Sequence, residues 1–262
     1  MSAIVSNSEI IHYEVLGRGH PVIFLHGWAG SWRYWAPSMQ TVAYGYRAYA
    51  LDFWGFGDSA KNQAYYGLES QTDLLEDFIH QLGIVDKVAL VGHDFGGMVA
   101  IQYALRSREK VSGLVLVNCP VSGNFNHRLI SETPVGLVDW LYPTDKDRKA
   151  VSLEALKADQ QAIVRSVLDF ETFLVDGKLP SLTMPTLIVY GANDPLVPVP
   201  SEPHPEEFPQ SMGGIVFNDS GHYPMVDEDN QFSRLLRQFL ELEEGVSPRE
   251  LEIKTRWKRR VR

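Results

Sequence analysis

One cysteine, Cys119, stands in 262 residues. A lone thiol closes no intrachain disulfide and builds no cysteine-ligated zinc site. A reducing compartment is therefore the expected setting, and a small buried side chain near a strand end the expected role. Long apolar runs are also missing. No stretch approaches the roughly 18 residues of a membrane-crossing helix, and Met1 to Ser8 carry neither a basic segment nor an apolar one of the kind that directs export. These absences point to a cytoplasmic protein with no membrane span.

An excess of cations is lacking too. Net charge is −9, and six cations with no acidic residue among them sit in Lys254 to Arg262, so the remaining body stands at −15. Such a body repels nucleic acid, whose nonspecific affinity is mostly phosphate neutralisation. The tail, with Trp257 among its cations, has the chemistry to touch anionic lipid or RNA. A solvated terminus paired with the acidic body is the simpler expectation.

What is present is a globular composition, 44% hydrophobic and 22% charged, long enough for one large core and an inserted lid. Strands are predicted at Ile10 to Val15, Pro21 to Leu25, Arg47 to Phe53, Lys87 to Val91, Val111 to Val117, Pro185 to Tyr190 and Gly214 to Phe217. Several are continuous apolar runs, as in strands covered on both faces of a parallel sheet. Helical patterns lie at Ser31 to Val42, Ser70 to Leu82 closed by Gly83, Gly96 to Arg106 and Asp227 to Leu242. The alternation predicts an α/β fold with a mostly parallel, doubly wound sheet. It breaks once, between about Asn118 and Pro180, where the pattern is helical. The expected division is a core of residues 1–118 and 185–262, with 119–184 inserted as a small helical cap over the strand C-termini, where open α/β sheets bind ligands. Six prolines, at 195, 198, 200, 203, 205 and 209, interrupt any helix of normal length in the following stretch. They predict a stiff loop, either a wall of the site entrance or simply a segment of low unfolded-state entropy.

Directly after Val88-Ala89-Leu90 the chain reads Val91-Gly-His-Asp-Phe-Gly-Gly97. The spacing is that of G-x-S-x-G, a sharp strand-to-helix turn that projects its central side chain, here Asp94 in place of serine. A carboxylate is ionised at pH 7 and attacks a saturated carbon without a base, whereas serine needs an adjacent histidine. Downstream, Asp194 follows a strand in Gly-Ala-Asn-Asp-Pro, and His222 sits in Ser-Gly-His before the last helix. Asp before Pro is also a common turn former, and a lone His often caps or packs. Alongside Asp94, an acid and a base are the stronger reading of the two. Asn118, after the strand ending at Val117, cannot carry the charge that orients an imidazolium. Gly55-Phe-Gly-Asp-Ser-Ala60 mimics the dinucleotide fingerprint G-x-G-x-x-A, yet no convincing helix begins there, which leaves a tight turn.

Taken in order, His26-Gly27-Trp28, Asp52-Phe-Trp-Gly-Phe-Gly-Asp-Ser59, the Asp94 turn, Gly191-Ala-Asn-Asp194-Pro and Ser220-Gly-His222 resemble the α/β-hydrolase superfamily over nearly the whole chain. Nucleophile, acid, histidine is the chain order of that fold. Aspartate at the turn is similar to its epoxide hydrolases and haloalkane dehalogenases. The resemblance implies that Asp94 is the nucleophile and His222 the base oriented by Asp194. It implies further that the Trp28 and Phe95 backbone N–H groups form an oxyanion hole and that their rings wall the pocket. No metal and no organic cofactor is implied. The expected partners are a small apolar to moderately polar organic substrate and water.

The leaving group separates the two activities. Epoxide hydrolases of this family protonate the departing alkoxide from cap tyrosines, and haloalkane dehalogenases commonly hold the halide with a tryptophan right after the nucleophile. Here that residue is Phe95, which has no ring N–H, and the arginine of fluoroacetate dehalogenases is absent there as well. The cap supplies Tyr142 as the candidate proton donor, and Tyr142 and Trp140, in Val138-Asp-Trp-Leu-Tyr-Pro143, are expected to line the substrate pocket with Trp28 and Phe95. Tyr142 is the one tyrosine of 118–184, so a pair requires Tyr65 or Tyr66 from outside. The expectation is an epoxide hydrolase. Alternatives are a haloalkane dehalogenase, an esterase-like chain with Asp for Ser, suggested by His-Gly-Trp-Ala-Gly without the Pro of many epoxide hydrolases, and a noncatalytic ligand-binding protein on this fold.

Overall fold

The computed structural model of the chain describes residues 2–121, 124–142, 148–172, 178–201, 208–243 and 245–253. The basic tail and prolines 203 and 205 lie outside them. Eight strands make one sheet: β1 (Ser2–Ser6), β2 (Glu9–Gly17), β3 (His20–Leu25), β4 (Tyr46–Leu51), β5 (Val88–His93), β6 (Val111–Val117), β7 (Thr186–Gly191) and β8 (Met212–Phe217). Their order is β1-β2-β4-β3-β5-β6-β7-β8. The pairs β1–β2 and β2–β4 are antiparallel, and every other neighbouring pair is parallel. The central strands β5 and β7 are buried at every position, which explains their unbroken apolar runs.

Strand β1 is the element the sequence reading lacks. It forms a hairpin with β2 through Asn7 and Ser8, whose φ values of 46° and 66° suit a two-residue turn with both central residues left-handed. Only Ile4 and Ser6 of this edge strand are buried, so its alternation is too short to stand out.

Helices flank the sheet: α1 (Ala36–Val42), α2 (Leu68–Gln81), α3 (Phe95–Arg106), then α4 (Arg128–Ser131), α5 (Pro134–Leu141), α6 (Arg148–Ala155) and α7 (Gln160–Thr172), and finally α8 (Pro224–Asp227) and α9 (Asp229–Leu240). The helix expected from Ser31 begins as a 3-10 turn, Trp32–Trp35, whose Arg33 N–H donates to Ser31 Oγ, and turns α-helical only at Ala36, with Pro37 in the first turn where its missing N–H is harmless. Among the described residues no helix is long and apolar enough to cross a membrane.

Helices α4 to α7 fill the stretch between β6 and β7, with no strand among its described residues. They are tied to the loops at the C-terminal edge of the sheet. The Asp159 N–H donates to the Gly55 carbonyl at 2.8 Å, the Leu68 N–H to Asp169 at 3.1 Å, and the Trp28 indole N–H to Ser166 Oγ at 2.7 Å. Gly55-to-Ala60 is a turn, with φ of 86° at Gly55 and 50° at Gly57, and no helix starts in it. Cys119 is buried against Met98, the packing role expected of it.

Candidate active site

Strand β5 ends at His93 and α3 begins at Phe95, so Asp94 is the whole connection, with φ 36° and ψ −104°. A non-glycine residue is rarely left-handed, and such strain recurs where a side chain must be presented. Two glycines make room. A Cβ on Gly96 would lie 2.4 Å from the Leu25 carbonyl oxygen, and one on Gly27 would lie 2.4 Å from Asp94 Oδ2. The turn is fastened by Asp94 N–H donating to the Val117 carbonyl at 2.9 Å.

The Asp94 carboxylate faces two backbone donors and one ring. Trp28 N–H donates to Oδ1 at 3.1 Å and to Oδ2 at 3.3 Å, and Phe95 N–H also donates to Oδ1. His222 Nε2 lies 3.0 Å from Oδ2, and its Nδ1 lies 2.9 Å from Asp194 Oδ2. The side chains of Asp94, His222 and Asp194 are wholly buried. The two carboxylate oxygens of Asp94 thus differ: Oδ1 sits between two N–H groups, and Oδ2 faces the imidazole.

Burial alone would favour a neutral His222, but the charges and hydrogen bonds of Asp194 and Asp94 overcome it and push its pKa up to about 10. The resting site is therefore a buried imidazolium between two carboxylates.

Three side chains brace this line. Asn118, dismissed as an acid, is left-handed at φ 42°; its Nδ2 donates to the carbonyls of His222 and Gly221 at 2.9 and 3.1 Å, and its Oδ1 accepts from Gly191 N–H at 2.8 Å. It therefore clamps the histidine loop to the end of the strand that leads into Asp194. Tyr223 Oη donates to the Ala29 carbonyl at 3.0 Å. Ser166 holds the Trp28 indole. Sequence spacing carries no signal for Tyr223 or Ser166, because their partners are distant in the chain.

The rings fall into two groups. Trp28 stacks on Phe95 with centroids 5.9 Å apart, and both are fully buried beside Asp94. Tyr142 is buried, with its ring 5.4 Å edge-on from Tyr223, the neighbour of His222. Trp140 is half-buried with the Arg128 guanidinium 4.9 Å above its ring, and no described contact joins it to Asp94. Tyr66 donates its hydroxyl to Asp159 at 2.7 Å, and Tyr65 packs on Trp54 at 4.9 Å. Neither outside tyrosine is brought to Asp94 by a described contact.

Residues 22–235 match the model of the Alpha/beta hydrolase family. The chain belongs to that family. This α/β-hydrolase is 33% identical over 112 residues to a soluble epoxide hydrolase of Corynebacterium, covering 43% of the chain and 39% of that protein's length. It is 24% identical over 256 residues to a pimeloyl-[acyl-carrier protein] methyl ester esterase of Aliivibrio fischeri, covering 88% and 97% of the two chains. Among solved structures, the meta-cleavage product hydrolase CumD of Pseudomonas fluorescens superposes with a TM-score of 0.74 at 26% identity, over 92% and 97% of the chains.

Among the described residues of this hydrolase, two clusters bring potential metal-ligand atoms within 4.8 Å of one another: His93, Asp94 and His222, and His12, Asp52 and Asp58. Every ring nitrogen in them already has a protein partner. His222 lies between its carboxylates, His93 between Tyr34 Oη and the His222 carbonyl, and His12 between Asp52 and Glu14. The His12 group also organises loops, since Asp52 accepts the N–H groups of Trp32 and Asp58 at 2.8 and 3.0 Å.

Proposed function

We propose that this α/β-hydrolase is an epoxide hydrolase that works through a covalent ester on Asp94. The observation that supports the reading is the difference between the oxygens of Asp94: Oδ1 lies in a cradle of two backbone N–H groups, one of which also reaches Oδ2 at 3.3 Å, and Oδ2 faces His222. A serine at this turn would have no second oxygen to place in the cradle. Oδ2 attacks an epoxide carbon, the C–O bond opens, and the oxygen leaves as an alkoxide that takes a proton to become a hydroxyl. The ester that forms keeps Oδ1 as its carbonyl oxygen in the cradle. Esterification also cancels one of the two charges that hold His222 protonated, so the ring gives up its proton, which restores the hydroxyl of the group that protonated the alkoxide, and the neutral ring then accepts a proton from water. That water attacks Asp94 Cγ, Oδ1 takes the negative charge between the N–H groups of Trp28 and Phe95, and collapse releases the diol and restores the carboxylate.

Tyr142 is the proposed proton donor to the alkoxide, and 119–184 the cap that carries it. The support is its burial beside Tyr223, one residue from His222, and the three hydrogen bonds from α7 and its N-terminal turn to the core loops. A halide would need ring N–H donors instead. Phe95 has none, and the Trp28 indole N–H is engaged by Ser166 at 2.7 Å, so the dehalogenase reading is the weaker one.

The test is to incubate the protein separately with styrene oxide, a bromoalkane and a p-nitrophenyl ester. Turnover of styrene oxide to its diol is expected. Turnover of the bromoalkane or the ester alone rules this function out.

A further inference from the structure

His93 is a fully buried histidine that the proposed chemistry does not use. It sits next to Asp94 at the end of β5, and both its nitrogens have partners. Nε2 lies 2.8 Å from the carbonyl oxygen of His222, and Nδ1 lies 3.0 Å from Tyr34 Oη. A carbonyl oxygen only accepts, so Nε2 must carry the proton and Nδ1 must be bare. Tyr34 therefore donates its O–H to Nδ1, and its oxygen is left to accept the Gly27 N–H at 2.6 Å. Burial and the nearby His222 charge push the His93 pKa down to about 3, so the ring stays in this one neutral form. Each donor and acceptor can play only one part, and the direction of the chain is fixed: Gly27 N–H to Tyr34, Tyr34 to His93, His93 to the His222 backbone.

The two ends of this chain matter. Gly27 is bonded directly to Trp28, whose N–H is one of the two donors on Asp94, and His222 carries the ring on Oδ2. The chain thus runs behind the turn, spanning from one side of the Asp94 carboxylate to the other without touching it.

We propose that Tyr34 and His93 are positioning residues, and that their hydrogen-bond chain fixes the Trp28 N–H relative to the His222 ring. The proposal rests on the covalent reading above only for its kinetic test. Attack by Asp94 uses the carboxylate and the proposed Tyr142 donor and does not need the His222 ring as a base, whereas hydrolysis of the ester needs the cradle N–H and the ring in register at one carbon. Loss of the chain should therefore act on the second step. Misplacement by about 1 Å costs on the order of 10²-fold in such a step.

The experiment uses Tyr34→Phe, which keeps the ring contacts to Trp35, His93 and Tyr223 and removes one oxygen, with His93→Phe as a second variant. Single-turnover reaction with styrene oxide measures adduct formation and adduct hydrolysis separately. Hydrolysis is expected to slow about 10- to 100-fold in Tyr34→Phe while adduct formation changes less than about threefold, so kcat and KM fall together. A residue that merely supports folding would alter both steps by the same factor, and that result overturns the proposal. A second readout needs no substrate: the downfield proton of His222 Nδ1–H in its bond to Asp194 should shift in Tyr34→Phe. Where the parent turns over styrene oxide, the ratio of the two steps decides. Where it does not, the epoxide reading falls and the resonance decides alone, a shift supporting the chain and an unmoved signal overturning it.

Discussion

Asp94 Oδ2 and His222 Nε2 stand 3.0 Å apart with both side chains wholly buried, so the charge on one controls the protonation of the other. While Asp94 is a free carboxylate, His222 is held as a cation with a pKa of about 10. Once Asp94 is an ester, only Asp194 opposes the desolvation of the ring. On the proposed mechanism, esterification of Asp94 thus switches His222 on as a base.

This gives a titration to measure. Asp94→Asn removes one of the two charges and leaves burial in place, so the His222 pKa should fall well below its parent value, followed by imidazole NMR. The corresponding stability follows the sign of the shift. The folded pKa is raised above the ordinary 6.5, so the stabilisation is full below pH 6.5 and is lost as pH rises through about 10. Parent Tm should decline over that window and decline less in Asp94→Asn. Equal slopes in the two proteins would contradict the charge coupling.

On the proposed mechanism Trp28 acts through its backbone N–H. Trp28→Phe keeps the N–H that faces Asp94 and most of the stack on Phe95, and removes the indole bond to Ser166. One hydrogen bond between neutral groups is worth about 0.5–1.5 kcal/mol, so a fall in stability of that size is expected in denaturant titration, with diol formation reduced less than about tenfold. Abolished turnover in a well-folded variant would assign the indole a direct part in the chemistry.

Substitution of Tyr142 tests the leaving group. In a His222→Gln background, Tyr142→Phe should slow adduct formation from styrene oxide by about 10² to 10⁴, the usual contribution of a placed general acid. Adduct formation from a bromoalkane, whose leaving group takes no proton, should be unaffected. An unchanged epoxide rate would remove Tyr142 from the mechanism.

The fold was legible because the core strands are apolar on both faces and the loops between them carry glycine signatures. That Asp94, Asp194 and His222 come together was legible for a related reason: each candidate sits at a strand end or turn whose local pattern marks it. What the sequence hid is long-range and polar. Ser166, Tyr34 and Tyr223 look like any helix or loop residue until the chain folds, since their partners lie 138, 59 and 194 positions away. Asn118 was noticed for the charge it lacks, whereas its amide offers a donor and an acceptor together, which is what bridging two loops requires. Trp140, a large aromatic of the inserted segment expected at the pocket, is half-buried with the Arg128 guanidinium over its ring, and no described contact joins it to Asp94.

The proposed mechanism stands or falls on whether Asp94 bonds covalently to substrate before water enters. His222→Gln removes the base needed for hydrolysis and leaves the nucleophile intact, so intact-mass spectra of this variant after incubation with styrene oxide should show one substrate mass added, and peptide mapping should place it on Asp94. A well-folded variant that is inactive yet carries no adduct, with a substrate the parent turns over, would contradict the account and make Asp94 a base for direct attack by water.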